Sequence, residues 1–198
     1  LRIEEATLLA HGFGAIPATR AALVAPERIQ RIVLVNPWFS MPLLARTLHR
    51  RAALLAGEPE ALLPPEAALA DAESLNPEEL VEEAFRRIAP KQLFDALEFP
   101  DPSSRLRLEH SDAIAQFGPQ RNEAPEDMWT VSVLPELPGL SADVVALFGT
   151  QDGTSYPDQA EAGLAQLPEA QTGLMDAGHY PWLDEPEGFI RLVREALS

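Results

Sequence analysis

The chain has no cysteine, a single lysine and no apolar run near bilayer length. Without cysteine there is no disulfide, no thiolate zinc site and no cysteine nucleophile. Without about 20 consecutive apolar residues there is no candidate membrane-spanning helix. The opening stretch, LRIEEATLLA, has neither the basic head nor the long apolar core of a signal peptide. Positive charge is scarce too: 15 basic residues face 31 acidic ones, a net charge of −16. Phosphate neutralisation needs clustered Lys and Arg, so a nucleic-acid partner is not expected. No His, Asp and Glu set has metal-ligand spacing, and no metal or other cofactor is expected. These absences predict a soluble, cytoplasmic protein with no membrane partner. Arginine in place of lysine (Lys91 stands alone), with abundant Ala, Leu and Pro, suggests a bacterial origin.

What is present suits a packed domain. The chain has 198 residues and is 46% apolar, enough for one domain or one domain with a sizeable insertion. Four short apolar runs read as buried strands: Thr7–Ala10, Arg31–Val35, Asp143–Gly149 and Gln171–Asp176. Continuous apolarity predicts a parallel sheet covered on both faces. Helix-sized segments, Ala15–Val24 and Asp158–Leu167, separate the runs pairwise. The last stretch, Glu187–Leu197, places Phe189, Ile190, Leu192, Val193 and Leu197 on roughly one face, with Pro186 in its first turn. Such alternation marks an α/β sheet.

Between Pro37 and Ser141 the strand signals stop. Helices are predicted over Met41–Leu55, Pro77–Ile88, Pro90–Leu97 and Ser104–Gln116. Asn76, Pro77 and Glu79 read as N-cap, first-turn proline and capping glutamate. The Pro/Glu patch Glu58–Glu66 reads as a loop or short helix.

The sharpest local signal is AHGFGA, Ala10–Ala15, where a strand meets a helix. Three readings compete. A dinucleotide turn would need a small residue where Pro17 stands and an acid where Asn36 ends the next strand. A structural turn needs only glycine's freedom. A nucleophile elbow has the pattern small-x-nucleophile-x-small. Ala10 and Gly14 fill its small places, Gly12 falls at the nucleophile, and Phe13 supplies the following N–H, half of an oxyanion hole.

From Leu8 to Pro37 the sequence resembles the elbow region of α/β-hydrolases, G-H-S-x-G-G followed by P-E-R-[VI] and L-V-L-x-N-P. Ala10–Ala15, Pro26–Ile29 and Val33–Pro37 match in that order, with Gly12 in place of serine. The resemblance implies an acid and then a histidine on later strand-end loops. G-x-x-D fits Gly149–Asp152, and G-H-x-x-x-x-[DE]-x-P-x-x-F fits Gly178–Phe189, which makes Asp152 the acid and His179 the base. His11 reads as structural. His49 and His110 fall on helix faces of the insertion.

The implied fold is the C-terminal part of an α/β-hydrolase sheet, strands five to eight. Its core would be residues 1–37 and 138–198, with residues 38–137 a helical cap. The family's earlier strands are expected upstream, as roughly 80–90 further residues, or from a partner chain. Cap and loops resemble proline iminopeptidases, in which cap carboxylates can bind a substrate's amino group. Glu78, Glu79, Glu82 and Glu83 read as a wet helix face, and none is assigned that role. The activity implied is aminopeptidase- or esterase-type hydrolysis of a small-molecule or peptide substrate. With glycine at position 12, serine-type catalysis is expected to be impaired or absent. The alternatives are a binding pseudoenzyme or one part of a split assembly.

Overall fold

The computed structural model describes residues 4–58, 76–115 and 127–198. Four strands, β1 (Ala6–His11), β2 (Ile29–Val35), β3 (Asp143–Gly149) and β4 (Gln171–Met175), lie in the order β1-β2-β3-β4. Each neighbouring pair is parallel. All four coincide with the predicted apolar runs. β1 and β2 extend further than their runs because Ala6 pairs with Ile29, so ladder hydrogen bonds continue past the buried stretch. Among the described residues, no strand covers the outer edge of β1.

Helices on both faces explain the continuous apolarity. Ile32 and Leu34 pack with Ala15, Ala18 and Ala22 of α1 (Ala15–Val24) on one side. Val33 and Val35 turn to the other, with Val145, Leu147 and Met175, under α8 (Pro186–Leu197). Phe148 meets Ala160 of α6 (Asp158–Gln166). A short α7 (Pro181–Asp184), not read in the sequence, precedes α8.

Between β2 and β3 come α2 (Met41–Leu55), α3 (Pro77–Arg87), α4 (Pro90–Glu98) and α5 (Pro102–Ile114). Every one carries proline in its first turn, where a missing N–H costs nothing. Ser40, Asn76 and Asp101 cap α2, α3 and α5 by accepting from the N–H groups of Leu43, Glu78 and Ser103. α5 starts before the predicted Ser104, because Asp101-Pro102 is itself a cap and first turn. Asn76 alone caps α3: its side chain accepts from Glu78, and Glu79 lies exposed. The predicted helix end at Gln116, and the Pro/Glu patch beyond Glu58, lie outside the described residues. No helix among the described residues is long and apolar enough to cross a membrane.

Two motif glycines have a steric reason. A Cβ on Gly149 would stand inside 3.0 Å of the Ala177 and Gly178 carbonyl oxygens; one on Gly178 would strike the Glu98 carbonyl oxygen. β3, the histidine loop and the end of α4 therefore meet backbone to backbone. Gly149→Ala is expected to destabilise by about 2–4 kcal/mol, because neither carbonyl can retreat without breaking a bond. Urea unfolding checks this; an unchanged midpoint would show that the loop yields freely.

Candidate active site

The turn after β1 is a 3-10 turn, Gly12–Gly14, running straight into α1. Gly12 has φ +53°, a left-handed conformation that non-glycine residues adopt at a cost of about 1–3 kcal/mol. The strand–turn–helix connection with a left-handed residue at its apex is the arrangement an elbow requires. A Cβ built on Gly12 would lie 3.2 Å from Nε2 of His179. The Phe13 N–H sits in the same first turn, where helical N–H groups lack intrahelical acceptors.

Asp152 and His179 occupy the loops after β3 and β4. His179 Nδ1 is 2.7 Å from Asp152 Oδ2, and both side chains are buried. A carboxylate only accepts, so Nδ1–H donates and the Nε2 lone pair faces Gly12. Burial opposes protonation of His179, but the Asp152 charge and hydrogen bond outweigh it and raise its pKa above the usual value.

Three residues that the sequence did not single out complete the dyad. Thr154 donates from both its N–H (2.9 Å) and its hydroxyl (2.6 Å) to Asp152 Oδ1. Trp38 Nε1–H donates to the same hydroxyl at 3.1 Å, while its ring stacks on His179 with centroids 5.1 Å apart. Asn36, the end of a strand and the N of the L-V-L-x-N-P match, is a staple with φ +43°. Its Nδ2 donates to the carbonyls of Gly178 and His179, and its Oδ1 accepts from the Gly149 N–H at 2.7 Å. As a motif letter it said nothing of these partners.

His11 is structural, as expected. Its Nε2–H donates to the His179 carbonyl at 2.9 Å, and its ring lies 4.3 Å from that of His179. Burial, aided by the His179 charge, pushes its pKa down to about 4, so it stays neutral. His49, on α2, bonds Glu83 of α3 at 3.0 Å, and His110 is exposed. Glu78, Glu79 and Glu82 are exposed, on the wet face the sequence suggested; Glu83, expected there too, is half-buried and pairs with His49 and Arg87.

A different carboxylate enters the site. Glu98, the last residue of α4, is 7% exposed. Its carbonyl accepts the His179 N–H at 2.8 Å, while no described side chain donates to its carboxylate. Burial pushes its pKa up to about 7; His179 and Arg105 pull it down, and Asp152 and Asp95 push it up. Nothing in the sequence distinguished it from a solvated helix end. Among the described residues no group of His, Asp and Glu could hold a metal ion.

The parallel sheet, the elbow and the acid–histidine pair define an α/β-hydrolase. The family model for alpha/beta hydrolases matches residues 2–192, and the chain belongs to that family. It is 33% identical to a proline iminopeptidase-related protein of Thermus thermophilus and superposes on it with a TM-score of 0.77. That match covers 98% of this chain and 64% of the other. A Pseudomonas syringae pv. syringae protein named for carbamate hydrolysis, RutD, is 27% identical over all of this chain and 70% of its own length. A Mycobacterium smegmatis proline iminopeptidase, 20% identical with a TM-score of 0.60, shares the fold over 97% of this chain and 64% of its own. The chain therefore spans less than two thirds of the length of both solved structures.

Proposed function

We propose that this chain carries an acyl-hydrolase site whose acid–base pair is kept and whose nucleophile is gone. It would bind an aminoacyl or peptide ligand without forming an acyl-enzyme. The observation that carries this is the Gly12 position: its absent Cβ would face His179 Nε2 at 3.2 Å. In serine-type hydrolysis an Oγ–H gives its proton to Nε2 as the oxygen attacks the carbonyl carbon. The proton then goes to the leaving group, and the Phe13 N–H would hold the carbonyl oxygen as it becomes negative. Glycine supplies no oxygen. Any turnover by this chain has to use water, with Nε2 as base.

Residues 38–137 are, on this reading, the cap over that site, and Glu98 is its charged anchor. A buried carboxylate without a partner costs free energy that a ligand ammonium would offset. This agrees with the resemblance to proline iminopeptidases, which use cap carboxylates in this way.

Two measurements on the full-length protein test the reading. A fluorophosphonate probe should leave the protein unlabelled; stoichiometric labelling would mean that a serine elsewhere has taken the role. Affinity for an aminoacyl anilide should rise as pH passes upward through about 7, because the ionised form of Glu98 attracts the ammonium. Glu98→Gln should flatten that rise and weaken binding about tenfold, the worth of a charge-assisted hydrogen bond. Stability without ligand runs the other way. The folded carboxyl holds its proton more tightly than the unfolded one, so stability falls as pH climbs from about 4.5 to about 7, and Glu98→Gln removes the fall.

A further inference from the structure

Trp38, in the loop just past β2, touches all three positions of the site. Its backbone N–H donates to the Gly12 carbonyl at 3.0 Å. Its indole N–H donates to the Thr154 hydroxyl at 3.1 Å, and that hydroxyl donates to Asp152 Oδ1 at 2.6 Å. Its ring lies over the His179 imidazole, with the two planes 22° apart. The polar path can run only one way. An indole N–H donates and a carboxylate accepts, so the hydroxyl between them accepts from Trp38 and donates to Asp152. His179 Nδ1 has two acceptors in range, Asp152 Oδ2 at 2.7 Å and Thr154 Oγ1 at 3.3 Å. Trp38 takes up a lone pair of that threonine oxygen, which favours the carboxylate as the acceptor of Nδ1–H.

The loop is fixed on both sides of Trp38. The Pro37 carbonyl accepts from the Ser155 hydroxyl at 3.0 Å. The Phe39 and Ser40 N–H groups both donate to Gln159 Oε1, and the Ser40 carbonyl accepts from Gln159 Nε2 at 2.7 Å. Ser155, on the acid loop, and Gln159, in α6, are fully buried, so these bonds are made away from water. The Phe39 ring, also fully buried, lies against Gly163 of α6, where a Cβ would strike it. Backbone from the acid side therefore sets where the indole stands, and the indole in turn covers the base. An aromatic face is negative, so a ring stacked on imidazole stabilises the charged form of that imidazole.

We propose that Trp38 is a positioning residue for the Asp152–His179 pair: its ring covers the imidazole, and its indole N–H secures the acid through Thr154. The imidazolium is the species formed whenever Nε2 takes a proton, so the inference does not depend on the reading of Gly12. The ionisable groups that face His179 are Asp152, Glu98 at the end of α4, His11 at the end of β1 and Tyr180 beside it. Burial keeps His11 neutral above about pH 4 and pushes the Tyr180 phenol above its ordinary range. Glu98 is the neighbour that titrates in the same range as a histidine, near 7.

NMR of the full-length protein, carrying Glu98→Gln to remove that neighbour, follows the His179 imidazole across pH. Trp38→Leu, which removes ring and N–H together, should lower the titration midpoint by about 0.5–1 pH unit. Trp38→Phe keeps an aromatic face and loses only the N–H. Its midpoint should stay at or above that of the Trp38 protein, because a Thr154 hydroxyl without its donor neutralises Asp152 less. A Trp38 that merely fills space would lower the urea midpoint in both variants and leave the His179 midpoint unchanged in both, which overturns the proposal. An equal fall in both variants overturns the role of the ring. With Trp38 in place, its indole N–H resonance should itself titrate with the His179 midpoint. An indole N–H blind to that titration overturns the proposal even where neither variant folds.

Discussion

Gly12→Ser in the full-length protein is expected to turn on serine-type hydrolysis of aryl esters, by on the order of 10³-fold or more, and to confer stoichiometric labelling by a fluorophosphonate. The geometry asks little else of the chain. The new Cβ would stand 3.2 Å from His179 Nε2, so the hydroxyl it carries falls within hydrogen-bonding reach of that nitrogen. Nε2 is already the acceptor, because Asp152 holds the proton of Nδ1 at 2.7 Å. The Phe13 N–H is fixed by the same turn that fixes position 12. Two costs set the limit. The φ of +53° strains any side chain, and 3.2 Å is tighter than ordinary contact, so the imidazole must shift by a few tenths of an ångström. Stability should fall by about 1–3 kcal/mol, read as a lower urea midpoint. Labelling and esterase activity both absent in a folded Gly12→Ser protein would show that the oxyanion donors, not only the nucleophile, are out of place.

The dyad has a structural role that persists without a nucleophile. Asp152 is fully buried and accepts three hydrogen bonds, one from His179 and two from Thr154. Removing either member leaves a buried polar group without its partner, which costs several kcal/mol. Asn36 binds the same loops from beneath, through the carbonyls of Gly178 and His179. Asp152 and His179 therefore hold these loops together whatever residue stands at position 12.

The elbow was legible because its demands are local. Ala10 and Gly14 are small where the chain doubles back, and a Cβ on Gly14 would meet that of Ala10 at ordinary contact, 3.7 Å. Asp152 and His179 were legible through order and context: each sits one loop beyond an apolar strand. Gly149 and Gly178 entered as motif letters, and the structure turns them into close approaches of backbone. Glu98, Thr154 and Trp38 were not legible. Thr154 bonds Asp152 from two residues away, and Trp38 reaches it and His179 from the loop after β2. The role of Glu98 depends on which helix of the insertion lies over which loop, and helical period says which face is apolar but not where a helix docks. Glu98 is the clearest case. Its neighbours Phe99 and Pro100 mark only a helix end, yet docking of that end on the histidine loop buries its side chain.

In the Gly12→Ser background, Asp152→Asn should abolish most of the gained rate, about 10³–10⁴-fold, with the fold retained. The reason lies in Thr154. Its N–H and hydroxyl both donate to Oδ1, so an asparagine keeps its oxygen there and turns its amide nitrogen toward His179 Nδ1. An amide nitrogen donates only, and Nδ1 must then accept. The imidazole proton moves to Nε2, the atom that has to take the proton of the introduced serine. Flipping the amide would save the tautomer but turn its NH2 against the Thr154 N–H, which can only donate. Thr154→Val leaves that constraint in place, since valine keeps the N–H. Asp152→Asn combined with Thr154→Val in the same background should therefore recover none of the lost rate. Ester hydrolysis measured across pH reads both effects. If Asp152→Asn leaves the rate of the Gly12→Ser protein within a few-fold, proton placement by Asp152 does not govern His179, and the acid is there only to fill the fold.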